Sequence, residues 1–293
     1  MGISRERFAL GSYHYMRYPL EYFLDTAVEL EMSAVELWAA APHLCLDVID
    51  DSGLRKISRQ LRARELQVCC ITPEQCTYPV NLAAEDEALR RHSIRNFQRA
   101  IQAARELESP LVLVTAGCGY FNRPAAEAWE RAADSLERLA GYGLEHGVKL
   151  VLETLTPMSS NVLNTPEQQK DMLSRLPAGS AWAMVDIGQM DYMGHDLSRY
   201  LALGPLLGHV HLQDSHPAIH MALGDGDLPL ADYLERIEAA GYTGMYGMEF
   251  NDLRYREDPR TADRQSVAWL ERNHIFSEYA YKFLELPLDN FFV

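Results

Sequence analysis

Four short apolar runs in the second half of the chain each end in a side chain able to hold a divalent cation. They are Leu150-Val151-Leu152-Glu153, Met184-Val185-Asp186, His209-Val210-His211-Leu212 and Gly247-Met248-Glu249-Phe250. Taken singly, a carboxylate at the end of a buried run more simply caps a helix or pairs with an arginine. Taken together, three carboxylates and one imidazole form an oxygen-rich set. Such a set suits Mn²⁺, or Co²⁺ or Mg²⁺, better than a thiolate-seeking ion, and Zn²⁺ is also compatible. His209 and His211 lie two residues apart and share one face of a strand. His211 is the expected ligand because it is nearer the C-terminal end and leads into Leu212, Gln213 and Asp214.

For four such ends to converge, the runs that carry them must be neighbouring strands, about 4.8 Å apart. The rest of the chain supplies that pattern. Eight apolar, β-branched or aromatic runs (8–13, 34–39, 67–72, 110–116, 149–155, 181–187, 207–212 and 245–250) alternate with stretches of helical periodicity, clearest at 20–31, 57–66, 86–107, 124–146, 165–176 and 230–240. Gly147 and Gly241 stand where helices end, and Thr165-Pro166 where one begins. The sixth round is the least regular, since 197–206 is short and interrupted by proline.

A strict strand-then-helix order implies a parallel sheet with right-handed crossovers. Eight rounds predict an α/β fold, a (β/α)8 TIM barrel, as a single domain over residues 1–293. The turn after the first run, Gly11-Ser12-Tyr13-His14, lacks the glycine pattern of an open dinucleotide-binding sheet. In a TIM barrel the chemistry gathers at the C-terminal strand ends, where these four residues fall.

The net charge of −15 opposes phosphate backbones and anionic lipid, so neither nucleic acid nor a membrane is expected as a partner. The first residues contain no apolar stretch of signal-peptide length, and no run is long and uncharged enough to span a bilayer, so a cytoplasmic protein is expected. The five cysteines show no zinc-finger spacing and are expected to be free thiols, with Cys69-Cys70 in the core.

At the four strand ends the sequence resembles the sugar isomerase and epimerase group of xylose isomerase-like TIM barrels. It is similar in layout to the D-tagatose 3-epimerase branch. Several stretches look nearest to the fructoselysine 3-epimerases: Val35-Glu36-Leu37-Trp38 with Pro42-His43, Thr72-Pro73-Glu74 with Tyr78-Pro79 and Asn81, Arg90-Arg91-His92-Ser93, Leu155-Thr156-Pro157 with Ser160-Asn161-Val162, and Met184-Val185-Asp186-Ile187. The likeness runs over about 35–249. It implies that Glu153, Asp186, His211 and Glu249 hold the metal. It further implies 3-epimerisation of a ketose or a fructosamine through a cis-enediolate, with Glu153 and Glu249 as the two acid/base groups on opposite sides of the sugar. Two positions depart from that pattern: Gln189 replaces a histidine, and no arginine follows His211 at the expected place.

Asp214, His216 and His220 lie in the loop where the arginine is missing, and Gln189, Asp214 and His220 are expected to contact substrate. Glu36 and Glu74 are expected to bind sugar hydroxyls or a substrate amine, Trp38 and Tyr13 to wall the sugar face, and His14 and His43 to contact hydroxyls. The same ligand set also serves an aldose-ketose isomerase such as a hydroxypyruvate isomerase. An abasic-site endonuclease, which needs more histidines and a grip on phosphate, fits the charge poorly, and a non-catalytic sugar-binding barrel would not need all four ligands. The aromatic stretch 275–293 predicts a homo-oligomer with this tail near a subunit interface.

Overall fold

The computed structural model describes residues 2–75 and 80–277. Eight parallel strands close into one barrel in chain order: β1 (Phe8–Gly11), β2 (Ala34–Ala39), β3 (Gln67–Pro73), β4 (Leu111–Thr115), β5 (Lys149–Glu153), β6 (Ala181–Asp186), β7 (Leu207–Leu212) and β8 (Met245–Met248). Closure is made by β8 on β1, where Phe8 registers with Tyr246 and Leu10 with Met248. These strands are covered on both faces, which explains why they read as continuous apolar runs and not as alternating ones. All five residues of β4, Leu-Val-Leu-Val-Thr, are buried.

The two faces serve two cores. Ala9, Ala34, Leu111, Leu113, Val151 and Met184 fill the barrel interior as one cluster, while the larger cluster lies between strands and helices. Cys69 and Cys70 are buried in the interior set, as their position in the third run predicts.

The helices between strands are α1 (Leu20–Glu29), α2 (Asp51–Arg62), α3 (Glu87–Glu106), α4 (Ala125–His146), α5 (Pro166–Ser174), α6 (Ile187–Tyr192), α7 (Leu197–Leu201), α8 (Leu230–Ala239) and α9 (Pro259–Arg272). Asp50 caps α2 by accepting from the Gly53 N–H, which starts that helix earlier than its apolar periodicity indicates. Thr165 and Gln168 form a reciprocal capping box on α5, and Gly147 ends α4 in the left-handed region at φ 71°. The irregular sixth round resolves into two short helices, α6 and α7, followed by a single 3-10 turn at Gly204–Leu206.

Five strands, β1, β4, β5, β6 and β8, are shorter than their apolar runs. β1 stops at Gly11, where an added Cβ would lie 2.4 Å from the Met248 carbonyl oxygen, and Ser12 turns the chain while its hydroxyl accepts from the Trp38 N–H. β8 stops at Met248, so Glu249 projects just past the strand end. Of the aromatic tail, Ile275 is buried and Phe276 packs edge-on against Phe8; residues 278–293 and the interface expected of them lie outside the described residues. No described helix is long and apolar enough to cross a membrane.

Removing the Thr165 hydroxyl with Thr165→Ala should lower stability by about 1 kcal/mol, the usual worth of an N-cap. Denaturant unfolding followed by circular dichroism would measure it, and an unchanged midpoint would contradict the capping box as a stabilising device.

Candidate metal centre

Side chains alternate along a strand, and this aims the site. Val151 on β5 and Met184 on β6 point into the barrel interior, so Glu153 and Asp186, two residues further, point to the same side at the C-terminal mouth. Asp186 registers with His211 on β7, and His211 with Gly247 on β8. Glu249 stands two residues beyond Gly247. The four strand-end residues are therefore brought together in space.

His211 Nδ1 lies 2.8 Å from Glu249 Oε2 and 3.7 Å from Asp186 Oδ2. Ligand atoms of Glu153, Asp186 and His211 fall within 4.8 Å of one another, and so do those of Asp186, His220 and Glu249. His220 enters this cluster from the loop after β7, which an antiparallel pair of hydrogen bonds between Asp214 and Met221 folds back on itself. Its backbone sits at φ 60°, uncommon for a non-glycine residue, and places Nε2 3.4 Å from Asp186 Oδ2 and 3.7 Å from Glu249 Oε2.

Each carboxylate is held in a different way. Asp186 caps α6: its Oδ1 accepts from the Gln189 N–H at 2.6 Å and from Gln213 Nε2 at 2.5 Å. Its Oδ2 is buried with no hydrogen-bond partner, as are His211 Nδ1 and His220 Nε2. Gln189 donates from Nε2 to Glu153 Oε1 at 2.7 Å and accepts the Thr156 N–H with its own oxygen. Glu249 is the least covered, its side chain 20% exposed to the cleft.

Burial and the neighbouring Asp186 carboxylate push the Glu153 carboxyl well above its ordinary range. Burial would raise Asp186 too, but the imidazoles of His211 and His220 beside it hold it low. Burial opposes the charged imidazoles, yet Glu36 and Glu249 raise His211, and Glu249 and Asp186 raise His220 to about 9. These shifts describe a pocket with an excess of negative charge. The buried unpartnered atoms of Asp186, His211 and His220 face one another, and oxygen donors dominate. Both features fit a divalent cation of the harder kind.

Above the cluster a cleft of about 230 Å³ opens to solvent, lined in part by Tyr13, Trp38, Glu74, Gln189 and His220. Trp38 packs against Tyr13 with ring centroids 4.7 Å apart and donates from its indole N–H to Glu74. Larger hollows lie away from the C-terminal mouth, one of about 410 Å³ at the opposite end of the barrel beside Ala34, Gln67 and Met245, and one of about 640 Å³ between α2 and α3.

Three expected substrate contacts are placed elsewhere. His43 is buried and its Nε2 donates to the Tyr18 carbonyl at 3.0 Å; burial also lowers its basicity, so it is a neutral tether of the loop after β2. Asp214 is saturated by the backbone N–H groups of Ser215, Gly224 and Leu228, and organises the loop that carries His220. Glu36 is only 5% exposed and lies beneath the cluster, accepting from Thr72 and bonded to His209 and His211. Gln189 lines the cleft, but both ends of its amide are already committed within the protein. His14 lies beside buried Asp263, and His216 sits between Asp191 and Asp227 on an exposed loop. Gln213 was not singled out from the sequence; its position two residues after His211 was the available signal.

The description of xylose isomerase-like TIM barrels matches residues 24–273. A fructoselysine 3-epimerase from Shigella flexneri is 30% identical over 256 residues, spanning 86% of this chain and 92% of that protein. An L-ribulose 3-epimerase from Methylomonas sp. (strain DH-1) is 24% identical over 260 residues, or 87% and 84% of the two chains. The solved structure of D-psicose 3-epimerase with D-tagatose from Clostridium cellulolyticum H10 aligns with a TM-score of 0.79, covering 92% of this chain and 98% of that one. Its 17% identity makes this a likeness of fold alone.

Adding a divalent cation at about 100 times its Kd to metal-stripped protein should stabilise it by about 2.7 kcal/mol, seen as a higher Tm and reversed by chelator. Asp186→Asn should abolish the shift. A Tm indifferent to Mn²⁺, Co²⁺, Mg²⁺ and Zn²⁺ would reject the cluster as a metal centre.

Proposed function

We propose that this chain, which belongs to the xylose isomerase-like TIM barrel family, is a divalent-metal-dependent carbohydrate 3-epimerase acting on a ketose or a fructosamine of the fructoselysine kind. The observation that carries this reading is the pair of glutamates, Glu153 from β5 and Glu249 beyond β8, set on separate strands around one cation-suited cluster at the floor of an open cleft. The likeness to fructoselysine 3-epimerase supports the substrate class.

Epimerisation at C3 requires that a carbon acid beside a carbonyl lose its proton from one face and regain one on the other. An ion held by Glu153, Asp186, His211 and Glu249, with Mn²⁺ the favoured identity, supplies Lewis-acid polarisation of the substrate oxygens when bound. One glutamate breaks the C3–H bond and keeps the proton on its carboxylate oxygen while the electron pair moves into the enediolate. The other glutamate then delivers its proton to C3 from the opposite side. Gln189 holds Glu153 Oε1 and so fixes the carboxyl between the cluster and the cleft. Glu249, more open to the cleft, serves as the partner base. Reversing the roles of the two residues runs the reaction backwards.

Trp38 and Tyr13 form an apolar wall for the sugar, Glu74 at the mouth suits a hydroxyl or the cationic amine of a fructosamine, and His220 stands in for the missing arginine as a substrate contact. A reducing, cytoplasmic setting, in which thiols stay free, belongs to the same reading. A homo-oligomer built through the aromatic tail belongs to the same proposal.

In D₂O, the metal-loaded enzyme should place deuterium at C3 of fructoselysine or of a free ketose such as D-psicose. Glu153→Gln and Glu249→Gln should each lower turnover by about 10²- to 10⁴-fold, the usual worth of a positioned acid/base. Exchange at C1 or C2 with a shifted carbonyl would favour an aldose-ketose isomerase, and no metal-dependent exchange in any of these substrates would sink the mechanism.

A further inference from the structure

Glu36 begins far from the strand ends that hold the ligands. It lies on β2, separated around the barrel from β7 by β1 and β8. Its carboxylate nevertheless crosses the interior to both β7 histidines: Oε1 is 2.9 Å from His211 Nε2 and Oε2 is 2.9 Å from His209 Nε2. Thr72 Oγ1 on β3 donates to Oε1 as well, at 2.5 Å. The crossing is possible because residue 247 has no side chain. A Cβ there would lie 2.2 Å from Glu36 Oε2 and 3.1 Å from His209 Nε2. Both carboxylate oxygens are bonded by protein donors beneath the cluster, which turns Glu36 away from the cleft.

An ionised carboxylate only accepts hydrogen bonds, so each facing Nε2 must carry the proton. In neutral His211 the Nδ1 then bears the lone pair, and this is the nitrogen that faces Asp186 and Glu249. The ring has little freedom to turn otherwise, because Nε2 is held from below in a fully buried site.

We infer that Glu36 is the positioning residue of the metal centre: through Oε1 it sets the tautomer and ring orientation of His211 so that Nδ1 is presented to the cation. His209 and Thr72 share the role indirectly, by bonding to the carboxylate and fixing it, and Gly247 by leaving it room. His209 is thereby a partner of Glu36 and not a ligand. Outer partners of this kind typically contribute 10- to 100-fold to metal affinity.

This inference rests on reading the cluster as a metal centre, and the test separates the two. Mn²⁺ affinity of the full chain is measured from the electron paramagnetic resonance signal of free Mn²⁺, without any substrate. Glu36→Gln should weaken Kd by about 10- to 100-fold. Gly247→Ala, which changes no ligand and no charge, should also weaken it by displacing the carboxylate, and it keeps the test alive if Glu36→Gln does not fold; Thr72→Val is a milder third variant. Asp263→Asn serves as control, since Asp263 is fully buried but bonded to Tyr15 and paired with His14, not with Glu36 or a cluster residue; it should lower Tm while leaving Kd within about two-fold. With saturating Mn²⁺, the KM of Glu36→Gln for the sugar should stay at the wild-type value.

Equal Mn²⁺ affinity in wild type and in every folded variant would overturn the inference while leaving the metal centre intact. So would a loss in Asp263→Asn as large as that in Glu36→Gln. A raised KM with an unchanged Mn²⁺ affinity would instead return Glu36 to substrate binding. Absence of Mn²⁺ binding by the wild-type protein would overturn both readings.

Discussion

Three carboxylates held close together, two of them buried, are the constraint on which the mouth of this barrel depends. Like charges a few ångströms apart repel far more strongly in a protein interior than in bulk water. The structure meets that cost with several devices in one place. Asp186 gives one oxygen to two N–H donors and turns the other toward two imidazoles. Glu153 answers by favouring its neutral form. Two histidines are drawn toward the charged state by the acids around them. What remains is a concave arrangement of unpartnered buried atoms, which a small divalent ion satisfies better than any side chain could.

The barrel supplies the geometry, and its irregularities are located where the geometry is most demanding. The β6–β7 register shifts between Ala183 and Met184, just before Asp186 comes level with His211. The β2–β3 register shifts between Val35 and Glu36, beside the residue that crosses the interior. A bulge adds a residue to one strand and re-aims the side chains that follow. In both places the extra residue lies on the strand facing the carboxylate, Gly208 on β7 and Cys69 on β3, so that the residues following it come level with Asp186 and Glu36. An uninterrupted ladder would keep the pairing regular but would place these groups one residue out of step with their partners.

Much of this was legible in the chain itself. Runs such as Leu111–Thr115, covered on both faces, read as buried strands because no polar residue interrupts them, and Gly147 and Thr165 mark helix ends by local chemistry alone. The four strand-end residues stood out because their polar groups break otherwise apolar runs. The ends of β1 and β8 were less legible. Apolar residues continue beyond both, and what stops β1 at Gly11 is the approach of the Met248 carbonyl, a contact between residues far apart in sequence. Glu36, His43 and Asp214 were legible as polar residues near strand ends, but each is turned away from the cleft by a partner no local pattern specifies: His209 and His211, the Tyr18 carbonyl, and the N–H groups of a folded loop.

The sequence by itself determined the order of strands and helices, the parallel barrel and the types of residue at the ends of β5 to β8, because periodicity, caps and residue chemistry act over a few neighbouring positions. Only the tertiary structure decided which nitrogen of His211 faces the cluster, that His220 joins it from a reversed loop, and that the carboxylate of Glu36 passes through the space left by Gly247. Those are relations between groups as far apart as β2 and β7, and they exist only once barrel closure fixes the distance between them.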